Sequence, residues 1–87
     1  MSSVQHDITV YTTEHCVYCH VQKDFLQEHN ISFREVRVDS DTEAAEEMIT
    51  RSGQMGVPFT IITNQAAETE DEIVGFDRLR LTKVLGI

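Results

Sequence analysis

In 87 residues the chain has no tryptophan, one proline, two cysteines and four glycines. So little glycine and proline excludes collagen-like and low-complexity chains, and 40% hydrophobic residues is enough for a folded core. Two cysteines cannot form the framework of bridges that staples small secreted domains, so chemistry is the better account of them. No apolar run approaches the ~18 residues of a membrane span. The start of the chain, Met1-Ser2-Ser3-Val4-Gln5-His6-Asp7, lacks the apolar stretch a signal peptide needs. Positive charge is also scarce: seven basic residues stand against fifteen acidic ones, a net charge of −8. Such a surface repels phosphate backbones and anionic headgroups, so neither nucleic acid nor a membrane is an expected partner. The expectation is a reducing cytoplasm and one domain over residues 1–87, since domains usually run to about 100–150 residues.

The chain reads as a regular alternation of elements. Ile8 to Tyr11 is a short β-rich segment, followed by the turn-like Thr12-Thr13-Glu14-His15. From Cys16 the period changes. Val17, Val21 and Phe25, with Leu26 beside them, predict a helix with an apolar stripe, running to about His29 and ending near Asn30. Ser32 to Val38 alternates again and predicts a second strand. Ser40-Asp41-Thr42-Glu43 fits a capping box in which Ser40 caps a second helix. Ala44, Ala45, Met48 and Ile49 supply that helix's apolar face, and Gly53 its left-handed end. Phe59 to Thr63 predicts a buried strand and Ile73-Val74 a short fourth one, with the acidic runs Asp39 to Glu47 and Glu68 to Glu72 as solvated surfaces. Asp77 is placed to cap a last helix built on Leu81, Val84 and Leu85 and ended by Gly86. The order β-α-β-α-β-β-α predicts an α/β fold, a four-stranded mixed sheet flanked by three helices.

Cys16-Val17-Tyr18-Cys19 falls where the first strand has turned into the first helix. Free amides and the positive end of the helix dipole favour negative charge on a sulfur there, which makes Cys16 the expected nucleophile. Cys19, three residues on, faces the same side and can attack a mixed disulfide on Cys16. A C-x-x-C alone is a weak signal; after a strand, opening a helix, in a βαβ unit, it points to thiol–disulfide exchange. Inert buried thiols are the bland alternative. Cys16-x-x-Cys19-His20 also matches a haem-attachment pattern, but that belongs to exported chains, and the helical stripe puts His20 outside. His15, Cys16, Cys19 and His20 offer zinc donors, yet near-adjacent residues rarely converge on one tetrahedral ion, so no metal site is expected.

With these motifs the chain resembles the glutaredoxins and glutaredoxin-like redoxins, which have a thioredoxin-like fold, over nearly its whole length. Four matches carry the resemblance: Tyr11-Thr12 before the dithiol, Cys16-x-Tyr18-Cys19, Arg51-Ser52-Gly53 leading to Val57-Pro58, and Gly75-Phe76-Asp77 before the last helix. The resemblance implies a cis-proline loop, Val57 and Pro58, facing the nucleophile, with the backbone before the proline pairing with substrate. It implies a substrate site lined by Tyr18, Val57, Gly75, Phe76 and Asp77, the last of which has capping as a second reading. It further implies no tightly bound cofactor, disulfide-containing proteins as substrates, glutathione or thioredoxin reductase as reductant, and a monomer. The sequence departs from the pattern at several places. Thr13, followed by Glu14, stands where many glutaredoxins have a lysine; Gly56 replaces a threonine, Val17 a proline, and Asp77-Arg78 a pair of acids. The Gly75-Phe76 run is similar to redoxins that donate electrons to ribonucleotide reductase. The alternative the family offers is a carrier that binds a [2Fe-2S] cluster through Cys16 with glutathione.

Overall fold

The structure, a computed structural model, describes residues 6–65 and 68–87. The reading of the extreme N-terminus, residues 1–5, and residues 66 and 67 of the polar loop lie outside the described residues. The elements follow in the order β1 (His6–Thr12), α1 (Val17–Glu28), β2 (Arg34–Arg37), α2 (Thr42–Ser52), β3 (Phe59–Asn64), β4 (Thr69–Val74) and α3 (Arg78–Leu85). The strands form one sheet in the order β2-β1-β3-β4. β1 runs parallel to β2 and antiparallel to β3, and β3 runs antiparallel to β4. This is the expected four-stranded mixed sheet with three helices.

Strand alternation sends side chains to opposite faces, and two apolar clusters result. On one face Ile8, Val10, Ile62 and Ile73 pack with Phe25 and Leu26 of α1 and Leu81 of α3. On the other, Tyr11, Phe59 and Ile61 pack with Met48 of α2, and Val36 and Val57 close in from the sides. Phe25 and Leu26 thus seat α1 against β1 and β3.

Five local expectations are corrected. Ser40 does not cap α2: Asp41 does, its carboxylate accepting the Ala44 amide at 3.1 Å, while the Ser40 hydroxyl donates to the Arg37 carbonyl. A carboxylate one residue later captures the same end of the helix and also faces its positive dipole. The stripe of α1 is rotated from the expected one: Val17 and Val21 are exposed, and Cys19, Gln22, Phe25 and Leu26 form the buried face. On α2, Ile49 is exposed and Met48 alone is fully buried. Strand β4 is six residues long rather than two. Its acidic residues are tolerated because it is the sheet's edge, and they are paired: Arg51 Nη2 reaches Glu70 at 2.7 Å and Glu72 at 3.2 Å, and Arg80 faces Asp71. Strand β2 is shorter than expected, beginning at Arg34 and ending at Arg37, and α1 ends at Glu28 with His29 as its cap. Gly53, with φ of 74°, terminates α2 in the left-handed conformation expected of it.

Candidate active site

Cys16 is the N-cap of α1. Its backbone is extended, and its sulfur accepts the Cys19 amide at 3.1 Å, the bond a serine or aspartate oxygen makes at other helix starts. A donor aimed at the sulfur stabilises charge developing there. The Cys16 thiol donates in turn to the carbonyl of Val57 at 3.7 Å. The Val57-Pro58 bond is cis, as the resemblance implied. The dithiol and the proline loop, far apart in the chain, are thus brought together at one end of the sheet.

The two sulfurs differ sharply in setting. Cys16 is partly exposed and Cys19 is fully buried. Burial pushes the Cys19 thiol up to about 12, and its hydrogen bond to Cys16 pushes the same way; a hydrogen bond from the Thr13 backbone and the charge of Lys23 oppose them. An accessible sulfur beside a protected one is the arrangement a nucleophile and a resolving thiol require.

The other expected residues fall in three places. Pro58 is buried, and its carbonyl accepts the Gly75 amide at 2.8 Å, which brings the Gly75 turn beside the proline loop; Gly75 has φ of 79°, a conformation that favours glycine. Tyr18 is 65% exposed next to the dithiol, and Val17, Met55 and Val74 are exposed as well. Phe76 is turned away to pack edge-on against Phe25, with ring centroids 6.0 Å apart, and Arg78 lies over that same Phe25 ring. Asp77 caps α3, accepting the Arg80 amide at 3.1 Å. Among the described residues no group of three or more His, Cys, Asp or Glu could hold a metal ion.

The loop before the dithiol is clamped. The Glu14 amide donates to Asp39 at 3.0 Å, its carboxylate meets Arg37 at 3.3 Å, and His20 Nε2 lies 3.0 Å from its carbonyl. A carbonyl only accepts, so that ring nitrogen carries the proton. Arg37, followed by the Glu14 amide, holds the Asp39 carboxyl far below the usual carboxylate range. The negative charge of Glu14, two residues before Cys16, is therefore paired with Arg37.

Five polar residues near the site escape a reading of the sequence. Gln22, fully buried three residues after Cys19, donates to Thr60 Oγ1 at 2.5 Å, and its Oε1 has no hydrogen-bond partner. Thr12, also buried, donates to Glu35 at 2.7 Å, and Lys23 reaches the same carboxylate oxygen at 2.8 Å. Both bonds hold the Glu35 carboxyl below its ordinary range, that from Lys23 most. Counting Cys19 among the apolar residues would have revealed the stripe 19, 22, 25, 26 and placed Gln22 inside.

Residues 8–66 match the family model described as Glutaredoxin. Glutaredoxin 3 of Escherichia coli (strain K12) is 37% identical over 71 residues, which cover 82% of this chain and 86% of that protein. Among solved structures, the glutaredoxin-like protein NrdH-redoxin from Escherichia coli, whose structure is described as the basis of a thioredoxin-like activity profile, superposes with a TM-score of 0.75 at 27% identity, covering 90% of this chain and 93% of that one. Methanosarcina acetivorans methanoredoxin gives a TM-score of 0.80 at 25% identity, with 95% and 87% covered.

Proposed function

The chain belongs to the glutaredoxin family, and from that premise we propose that its single domain is a dithiol oxidoreductase that reduces disulfides through Cys16 and Cys19. In the first step the Cys16 thiolate attacks a substrate disulfide. A Cys16–substrate S–S bond forms, the substrate S–S bond breaks, and one thiolate leaves and takes a proton from water. In the second step Cys19 gives up its proton and attacks the Cys16 sulfur, the second substrate thiolate leaves, and a Cys16–Cys19 disulfide remains. Two electrons from a reductant restore the dithiol. The observation that carries this reading is the contrast between the sulfurs: Cys16, at the helix N-cap, is accessible and held by the Cys19 amide, and Cys19 is buried behind it.

The substrates are disulfides on proteins, with Tyr18, Val57, Pro58 and Gly75 closest to the incoming chain. Glutathione and thioredoxin reductase are the two candidate reductants, and weak coupling to glutathione is expected. Thr13 offers no cation for a glutathione carboxylate, and the net charge of −8 opposes an anionic tripeptide. The exposed apolar Val17, Tyr18, Met55 and Val74 suit a protein surface better than a charged peptide. Cys16→Ser should abolish disulfide reduction, and Cys19→Ser should accumulate a mixed disulfide; an active Cys16→Ser protein would sink the assignment. Parallel turnover with glutathione plus glutathione reductase and with NADPH plus thioredoxin reductase tests the electron source, and rapid turnover with glutathione alone would refute this part.

A further inference from the structure

Resolution is the step for which the site is least prepared, because Cys19 must lose a proton while fully buried. What stands beside it decides how readily it does so. Lys23 follows Cys19 by four residues on α1, one turn along the same side. Its ammonium is paired with Glu35 Oε2 at 2.8 Å, and its side chain is 20% exposed. That same carboxylate oxygen accepts the hydroxyl of buried Thr12 at 2.7 Å. Glu35 stands in register with Val10 on the neighbouring strand, so it faces α1 beside Thr12. Thr12 leads into Thr13, whose carbonyl accepts the Cys16 amide at 3.4 Å. The chain Thr12–Glu35–Lys23 therefore ties the floor of the sheet to the turn of α1 that carries Cys19. The charged and titratable groups acting on this spot are Cys16 and Lys23 from α1 and Glu35 and Arg37 from β2.

We propose that Lys23 is a positioning residue for the second half of the reaction: fixed by Glu35 and Thr12 one turn below Cys19, it steadies negative charge on the Cys19 sulfur as that sulfur attacks the mixed disulfide. The proposal rests on the dithiol reading, and it adds a residue on which the first step does not depend. A mobile surface lysine would lend little to a buried sulfur, since solvent screens it. The Glu35 clamp keeps this one at the same place through the cycle, at the cost of partial neutralisation.

The test is single-turnover reduction of a symmetrical aromatic disulfide whose thiolate is coloured. Attack by Cys16 releases one equivalent and resolution by Cys19 a second, so the two steps appear as separate phases. Each unit by which losing Lys23 raises the Cys19 pKa cuts its thiolate tenfold, while the sulfur's own nucleophilicity rises, leaving a net loss of about threefold. Lys23→Met should slow the second phase at neutral pH, by about threefold for each unit by which the Cys19 pKa rises, without slowing the first, and Lys23→Arg should restore it. In parallel, NMR of Cβ-labelled Cys19 should place its titration higher in Lys23→Met and not in Lys23→Arg. A second phase unchanged in Lys23→Met, both phases slowed alike, or Arg as slow as Met would overturn the proposal. Wild-type protein releasing one equivalent, or Cys19→Ser releasing two, would instead overturn the dithiol reading and this proposal with it.

Discussion

The Cys16 thiol and the Val57 carbonyl meet at 3.7 Å, although 41 positions separate them in the chain. The same sulfur accepts the Cys19 amide. It therefore caps the helix while serving as the proposed nucleophile, and the capping post could be filled as well by an oxygen. Serine is among the preferred N-cap residues and can both accept that amide and donate to that carbonyl. Cys16→Ser should thus be at least as stable as the reduced wild-type protein while losing all disulfide reduction. Thermal unfolding under reducing conditions checks it, and a midpoint several degrees lower in the variant would show that the fold depends on the sulfur itself.

Thr13 is where charge was traded away. Thr13→Lys places an ammonium three residues before Cys16, next to a Glu14 already paired with Arg37. Turnover with glutathione should rise severalfold, with little change when a reductase supplies the electrons. Equal increases with both reductants would mean that the lysine acts on the nucleophile rather than on the tripeptide.

Glu35 makes stability depend on acid. Its carboxyl is held below the ordinary 4.5, by Lys23 first and Thr12 second. A depressed carboxyl binds fewer protons folded than unfolded, so its contribution is present above that pH and fades as pH falls through the folded value. Denaturant midpoints measured across the acid range should therefore converge: Glu35→Gln is less stable than wild type near neutrality, and the difference shrinks progressively as pH falls below about 4.5 and through the lower folded value. A constant gap at every pH would show that the ion pair does not contribute.

The two aspartate caps separate structure from ligand binding. Asp41→Ala should cost about 1 kcal/mol, as a lost N-cap does, and Ser40→Ala should stay within about 0.5 kcal/mol. Asp77→Ala should also cost about 1 kcal/mol, whereas Asp77→Asn keeps a capping oxygen and removes the charge. Unchanged stability with weakened glutathione coupling in Asp77→Asn would assign that carboxylate to the ligand as well as to α3; unchanged coupling would leave it a cap.

Periodicity and turn chemistry were enough to place every element, because strand alternation, the Asp77 cap and the terminating Gly53 and Gly86 each act within a few residues. The dithiol was legible for the same reason: its meaning comes from the local passage from strand to helix. What escaped depends on neighbours distant in the chain. The acidic Glu70, Asp71 and Glu72 read as a loop and form a strand because Arg51 and Arg80 pair with them. Val17 and Val21 read as core yet lie on the outer side of α1, because Cys19, Gln22, Phe25 and Leu26 form the side that packs on the sheet. Thr12 reads as part of a turn and Gln22 falls outside the expected apolar stripe, and the packing of α1 on β1 and β3 puts both inside beside Thr60.

Gln22 and Thr60 give the sharpest test of that packing. The Gln22 amide donates to the Thr60 hydroxyl at 2.5 Å beneath the dithiol, and its own oxygen is buried without a partner. Thr60→Val would leave the whole amide unsatisfied, a loss of about 1–3 kcal/mol. Gln22→Met alone, close in volume, would strand the Thr60 hydroxyl instead. Removing both polar groups removes the mismatch, so Gln22→Met/Thr60→Val should recover most of either loss and can exceed wild type in stability. A double-mutant cycle should then show coupling of at least about 0.5 kcal/mol. Denaturant unfolding of the four proteins measures it, and simple additivity of the two losses would mean that the pair does not act as one buried unit.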